Sequence, residues 1–274
     1  MKNVLLASRS KALRAVAALL ACGIILGLSY FAVALLGNPV SQALATRTAR
    51  AHLAAQYGDT DYEIDTVSYD FKTGGYYAHV KSPTLLDGHF TLHMDMLGRL
   101  TGDDYDYRLE RHGNTATRLY AEYRALVQSL LESPAFPYAY SIGFGDLDFD
   151  IEVGEEPMTD AISREELENH KIYDIRALGT TNGRLVLYVD TDTHTAEAAA
   201  EILRTLKRLL DGAGVGCYTV ELVLQYPPYE QGSYRRPEGS YRVRSLPYAE
   251  IDSDALTELV EQHHQTTLSE HEEK

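Results

Sequence analysis

Ala15–Gly37 reads AVAALLACGIILGLSYFAVALLG, with no charged residue and no proline. At about 1.5 Å of rise per residue, a helix of this length covers a hydrocarbon layer of about 30 Å. Only a helix satisfies its own backbone in such a layer. Lys2, Arg9, Lys11 and Arg14 precede the run without an accompanying acid, and the first acidic residue of the chain is Asp59. Basic flanks are retained on the cytoplasmic side. The pattern therefore predicts a basic cytoplasmic tail at residues 1–14, a single membrane-spanning helix at 15–37 and the rest of the chain on the outer side of the cell membrane. The first expected partner is thus the lipid bilayer, through residues 15–37.

Two other readings of the same stretch are weaker. A cleaved signal peptide carries a shorter apolar core of about 7 to 15 residues before a small-x-small site, and Ala43-Leu44-Ala45 is a poor version of one. Leu19-Leu20-Ala21-Cys22 looks like a lipidation box, but the apolar run continues well past Cys22. Gly23 and Gly27 have the spacing of a helix-pairing motif, which ordinary glycine content also explains.

Outward from the span the chain turns acidic. Removing the four N-terminal bases leaves 21 basic against 40 acidic groups, a net of −19. A surface of that sign repels phosphate backbones, so no nucleic-acid partner is expected. The 45% hydrophobic and 24% charged residues suit packed cores rather than a disordered chain. With 20 tyrosines and no tryptophan, the aromatic content suits half-buried strands with one wet edge. Cys22 and Cys217 are the only cysteines; with one in the apolar run, no ordinary structural disulfide is expected.

A first outer domain is expected over 38–110. Pro39 and Gly58 frame a helix from Val40 to Tyr57. Three strands should follow. In Asp61 to Lys72, Tyr62 and Ile64 have one phase and Val67, Tyr69 and Phe71 the other, which places a bulge near Asp65-Thr66. Gly74-Gly75 turns the chain into Tyr76, Ala78 and Val80, and Phe90, Leu92, Met94 and Met96 alternate in the third strand. His79, His89 and His93 should share the polar face. Because i and i+4 along a strand stand about 13 Å apart, one metal ion cannot bind both His89 and His93. Asp103, Asp104 and Asp106 could bind calcium weakly or form a wet turn.

A second domain is expected over 111–262, with a flexible tail at 263–274 that carries His263, His264 and His271. Its elements begin with a helix from Thr115 to Leu131. A strand through Tyr138, Tyr140, Ile142 and Phe144 should bend at Gly145 and continue as Leu147, Phe149 and Ile151. Ser163 and Glu166 form a capping box that opens a short helix at Arg164–His170. Asn182-Gly183 signals a turn before a strand from Arg184 to Asp190. A helix from Thr195 to Asp211, a strand from Cys217 to Tyr226 burying Tyr218, a last strand from Tyr241 to Ser245 and a helix from Ala255 to Gln262 complete the set. Strand, helix, strand in succession implies a crossover in a mixed sheet. The fold class is α+β: an N-terminal membrane helix, then two small two-layer domains, one a helix on an antiparallel meander and one a mixed sheet with helices.

Asp146, Asp148, Asp150 and Glu152 line one strand face and read as a solvated acidic stripe. Asp190-Thr191-Asp192-Thr193-His194-Thr195 lies where a strand feeds a helix, a location that favours an anion, but the two aspartates disfavour one, and an Asp or Thr here serves well as an N-cap, the preferred reading. No phosphate loop, HExxH, CxxC or GxSxG is present. No catalytic or cofactor-binding residue is assigned, and a metal site is left open.

Gly37-Asn38-Pro39-Val40-Ser41, Val67 to Lys72 with Tyr76-Tyr77, Ser82-Pro83 with Phe90, and Leu185 to Tyr188 through Ala198 to Ile202 and Tyr218 resemble the YfjL-like proteins of Gram-positive bacteria. The resemblance implies a membrane-anchored protein without an assigned reaction and transfers no catalytic residue. The expectation is an extracytoplasmic, non-enzymatic module that binds an envelope protein or peptide. The alternative is a metal- or carboxylate-dependent hydrolase of cell-wall material, built on Asp146, Asp148, Asp150, Asp190 and Asp192.

Overall fold

The computed structural model describes residues 2–149, 160–227 and 240–272. It divides into two compact units, Met1–Glu110 and Arg111–Lys274.

The first unit opens with α1 (Lys2–Leu36), so the helix reaches back into the basic segment. It lies in the one helical stretch among the described residues that is long and apolar enough to cross a membrane. Leu19, Leu26 and Leu36 are 73%, 70% and 81% exposed, far from the burial that such side chains find in a water-soluble core helix. Gly37, at φ +74°, ends the helix. Asn38 then caps α2 (Pro39–Gln56), its side chain accepting a 2.8 Å bond from the Val40 amide.

Four antiparallel strands follow: β1 (Glu63–Asp70), β2 (Gly75–Lys81), β3 (His89–Met94) and β4 (Leu100–Asp103), paired in chain order. The meander thus has one strand more than the sequence pattern indicates, because the short, half-exposed LTGD segment gives little alternation to read. The register of β1 on β2 slips between Ile64 and Thr66, where the change of phase placed a bulge. Ala45, Ala49 and Leu53 of α2 meet Tyr76, Ala78, Val80, Phe90, Leu92 and Met94 in the core. The two alanines, both 0% exposed, let the helix approach the sheet closely.

The second unit contains α3 (Gly113–Leu131), β5 (Tyr140–Leu147), α4 (Ile175–Asn182), β6 (Gly183–Asp190), α5 (Ala196–Gly212), β7 (Thr219–Gln225), β8 (Tyr241–Pro247) and α6 (Leu256–Glu272). The sheet order is β5-β6-β7-β8. β6 and β7 are parallel and joined through α5, and the outer pairs are antiparallel. Leu185, Leu187, Leu222 and Leu224 of the sheet and Leu203, Leu206 and Leu210 of α5 are all 0% exposed. Each such side chain contributes about 1.5–3 kcal/mol by leaving water.

Several local expectations need correction. The bend in β5 lies between Tyr140 and Ile142, not at Gly145. From there Gly143, Gly145 and Leu147 face the helices, and Ile142 and Phe144 lie on the other side. Tyr123, Val127 and Leu131 of α3 fill the space above the two glycines: a Cβ on Gly145 would stand 2.5 Å from Val127 Cγ2. The helix expected at Arg164–His170 is a single 3-10 turn, Arg164–Glu166, although the Ser163 amide does bond Glu166 Oε2 at 2.8 Å.

Asn182-Gly183, where a turn before the strand was expected, is the direct junction of α4 with β6. α4 itself, capped by Asp174, was not expected. Tyr218 is only half-buried, whereas Cys217 is 4% exposed, because β7 begins at Thr219 and Cys217 lies in the connection beneath it. Finally, the last helix does not stop at Gln262. It runs to Glu272, with Thr267 only 3% exposed, so the expected flexible tail is helical through Glu272.

Candidate functional site

The acids named from the sequence do not converge. Asp146 sits opposite Arg184 in the ladder, with its carboxylate 3.9 Å from Arg124. Burial pushes its pKa up, and Arg124 pulls it partly back. Asp148 lies just past the strand end, where its amide donates to the Asn182 carbonyl at 2.8 Å. Asp190 is at the other end of β6, accepting from Gln225 at 2.8 Å. Arg184 and Asp190 bound almost the whole of β6, so Asp146 and Asp190 are about 20 Å apart at roughly 3.3 Å per residue. Asp192 lies beyond Asp190 and is exposed. Asp150 and Glu152 lie outside the described residues. Asp146, Asp148, Asp190 and Asp192 therefore cannot share one ion, which needs oxygens within about 2.0–2.6 Å. Among the described residues, no group of three or more His, Cys, Asp or Glu could hold a metal.

The histidines of the first sheet do share its polar face. His89 is opposite Lys81, His79 opposite Thr91, and His93 packs edge-on against Tyr77 at 5.1 Å. Burial and the nearby Arg108 hold the His89 pKa down. The Asp103–Asp106 cluster spans the end of β4 and the start of a π-helical turn, Asp106–Glu110: Asp104 accepts from the Thr91 amide at 2.6 Å and pairs with Arg108 at 3.1 Å, and Asp103 accepts from the Tyr105 amide at 3.0 Å.

At the start of α5, Thr195 caps the helix by accepting from the Ala198 amide, as the sequence favoured. His194 bonds the Thr191 carbonyl at 2.9 Å and packs against the Tyr226 ring, tilted by 48° at a centroid distance of 4.2 Å. Cys217 donates to the Thr219 carbonyl at 3.2 Å, and burial pushes its thiol up to about 12. Such a thiol is not a nucleophile at neutral pH.

What the sequence did not reveal is how tyrosine hydroxyls and one asparagine tie distant segments together. Tyr69 donates to the Ala34 carbonyl of α1 at 2.9 Å, and Tyr76 bonds both the amide and the carbonyl of Asn38 at 2.7 and 2.9 Å. In the second unit Tyr123 donates to the Gly216 carbonyl at 2.8 Å. Asn182, 0% exposed, donates to the carbonyls of Asp148 and Ile162 and accepts from the Ile162 amide. The high tyrosine count was the available signal, but not its targets.

The second unit has two contrasting surfaces. α3, α5 and α6 all pack on one face of the sheet, and no helix covers the other among the described residues. On that face Val186 and Val223 are 8% and 5% exposed and Arg124 lies over the Phe144 ring at 4.7 Å, so exposure is concentrated at Ile142, 40% exposed, beside half-buried Tyr188, with the Arg184–Glu221 ion pair at 3.0 Å. On the helical side, a shallow groove of about 710 Å³ runs between the end of α3 and α5, lined by Tyr138, Glu201, Thr205 and Arg208 among others.

An apolar N-terminal helix followed by two α+β units, with no convergent catalytic set among the described residues, defines an α+β protein with one candidate membrane helix. The models of the YfjL-like N-terminal domain and the YfjL-like C-terminal domain match residues 12–104 and 122–261. The chain belongs to the YfjL-like family. A comparison with curated proteins gave no match. Among solved structures, it is similar to the crystal structure of a DUF5037 family protein from Ruminococcus gnavus ATCC 29149, at 16% identity over 82% of this chain and 98% of that one, with a TM-score of 0.23.

Proposed function

We propose that the protein is a single-pass membrane-anchored binding module, with its basic N-terminus in the cytoplasm and both α+β units in the extracytoplasmic space. The observation that carries this reading is α1. Its uncharged stretch is exposed on all sides, at a cost in water of about 25 cal/mol per Å² that a bilayer removes. The bonds from Tyr69 to Ala34 and from Asn38 to Tyr76 join the end of that helix and the residue after it to the first sheet.

The binding surface proposed is the β5 edge of the helix-free face of the second sheet, where exposed Ile142 beside half-buried Phe144 and Tyr188 offers apolar contact framed by charge, suited to a protein or peptide partner of the envelope. The scattered acids give the wall-hydrolase reading no comparable support. Photo-crosslinking tests the proposal: a benzophenone at Ile142 or Tyr188 in native membranes is expected to give a discrete adduct that the same probe at Arg204, on the helical side, does not. Absence of any adduct from both open-face positions counts against it.

A further inference from the structure

The two hairpin turns beside the end of α1 have an unusual composition. The β1–β2 turn reads Asp70-Phe71-Lys72-Thr73-Gly74, and the β3–β4 turn reads Asp95-Met96-Leu97-Gly98-Arg99. In each, the aspartate is drawn back into its own turn. Asp70 accepts from the Lys72 amide at 2.8 Å, and Asp95 accepts from the amides of Leu97 and Arg99, both at 2.8 Å. The apolar residues are left outermost: Phe71, Met96 and Leu97 are 57%, 43% and 56% exposed.

These turns lie together and next to the helix junction. A Cβ on Gly74 would stand 3.9 Å from Met96, and one on Gly98 would stand 3.0 Å from Leu44 Cβ, so the second turn rests on the first turns of α2. Val40 and Leu44 of α2 add 67% and 46% exposed side chains to the same end. Tyr69, in the strand that leads into the first turn, bonds α1 at Ala34. Isolated exposed apolar residues are ordinary on any protein, but a contiguous group marks a contact surface.

We infer that Phe71, Met96, Leu97, Val40 and Leu44 form an apolar collar that seats the first unit in the headgroup and upper acyl region of the bilayer around the exit of α1. This rests on the anchoring proposed above and adds to it a second, domain-borne membrane contact. The occupant follows from continuity: the collar adjoins the end of the apolar helix, so lipid reaches it wherever α1 spans. Local charge agrees, since Asp70 and Asp95 accept bonds within their turns, Asp95 also pairs with exposed Arg99 at 3.5 Å, and Lys72 is exposed. The net acidity of the outer chain acts over a screened distance of about 8 Å, beyond which it has little say at this edge. Aromatic and basic residues at such a level are favoured in membrane proteins generally.

The chain has no tryptophan, so each single substitution installs a unique fluorescent reporter. Full-length Phe71→Trp, Leu97→Trp, Tyr30→Trp and Leu86→Trp proteins are reconstituted into phosphatidylcholine vesicles with and without lipid brominated at carbons 6 and 7. Tyr30 reports the helix. Leu86, 55% exposed in the connection at the opposite end of the same sheet, is the control. Brominated lipid is expected to quench tryptophan at 30, 71 and 97 roughly two-fold or more and to leave that at 86 unchanged. Quenching at 30 without quenching at 71 and 97 would overturn the collar and leave the anchor standing. Loss of quenching at 30 would remove the anchor and the collar with it, and equal quenching at 86 would overturn the orientation the collar requires.

Discussion

Asp146 shows how a side chain that looked like part of an exposed acidic stripe becomes an electrostatic liability. Its carboxylate is half covered, and burial outweighs the pull of Arg124 3.9 Å away. Because the folded pKa lies above the ordinary value of 3.8, the folded state favours the protonated form, and stability is lost as pH rises through that window. Asp146→Asn escapes the loss. Its stability advantage over the parent should be near zero at about pH 4 and should open toward pH 7. With 37% of the Asp146 side chain exposed, the effect stays below about 1 kcal/mol. Thermal unfolding of both proteins in detergent across that range is the check, and an Asn variant less stable at pH 7 would mean that the Arg124 pair dominates. At this scale the sequence was readable where chemistry is local. The Ser163–Glu166 box and the Thr195 cap are short-range bonds with known residue preferences. Asn182 was misread because its partners, Asp148 and Ile162, are distant in sequence, and Asn-Gly has the same composition whether it forms a turn or ends a helix.

Among elements, the contact of α3 with β5 leaves no room for a side chain at Gly145. Gly145→Ala would drive a methyl group into Val127 and Tyr123, at 2.5 and 2.7 Å, and should destabilise the second unit by about 1–3 kcal/mol. Shortening the partner in Gly145→Ala/Val127→Ala should recover part of that loss, a coupling that denaturant titration of the four members of the cycle would reveal. α6 does a different task. β8 is an edge strand, and His263 and His264 of α6 bond the Arg244 carbonyl at 2.9 Å and the Arg242 amide at 3.1 Å along it. His264 also stacks on Tyr241 at 3.9 Å. Truncation after Gln262 should uncover that edge and produce self-association, visible as a shift to larger species in size-exclusion chromatography. Unchanged elution would show that the last turns are dispensable.

The period-2 and period-3.6 patterns identified most strands and helices because one face of each packs on a core. At β5 they found the strand but not its facing, because Gly143 and Gly145 occupy core positions while Ile142 and Phe144 lie on the other side. They failed at β4 and α4, which are too short to show a period.

At the scale of the whole molecule, length, charge and hydropathy made the N-terminal helix and the α+β class legible. They could not place functional groups, because the relation between Asp146 and Asp190 depends on strand pairing rather than on spacing along the chain. The structure separates acids that a list of residues invites one to combine. Exposed apolar side chains lie on the N-terminal helix, at the turns beside its end and at Ile142 of the second sheet. Protease added to right-side-out membrane vesicles tests the arrangement most directly. The account predicts that both α+β units are digested from outside while a fragment comprising α1 and its basic tail stays with the membrane. A C-terminal portion that remains intact until the vesicles are lysed, or a full-length chain released by alkaline carbonate, would contradict it.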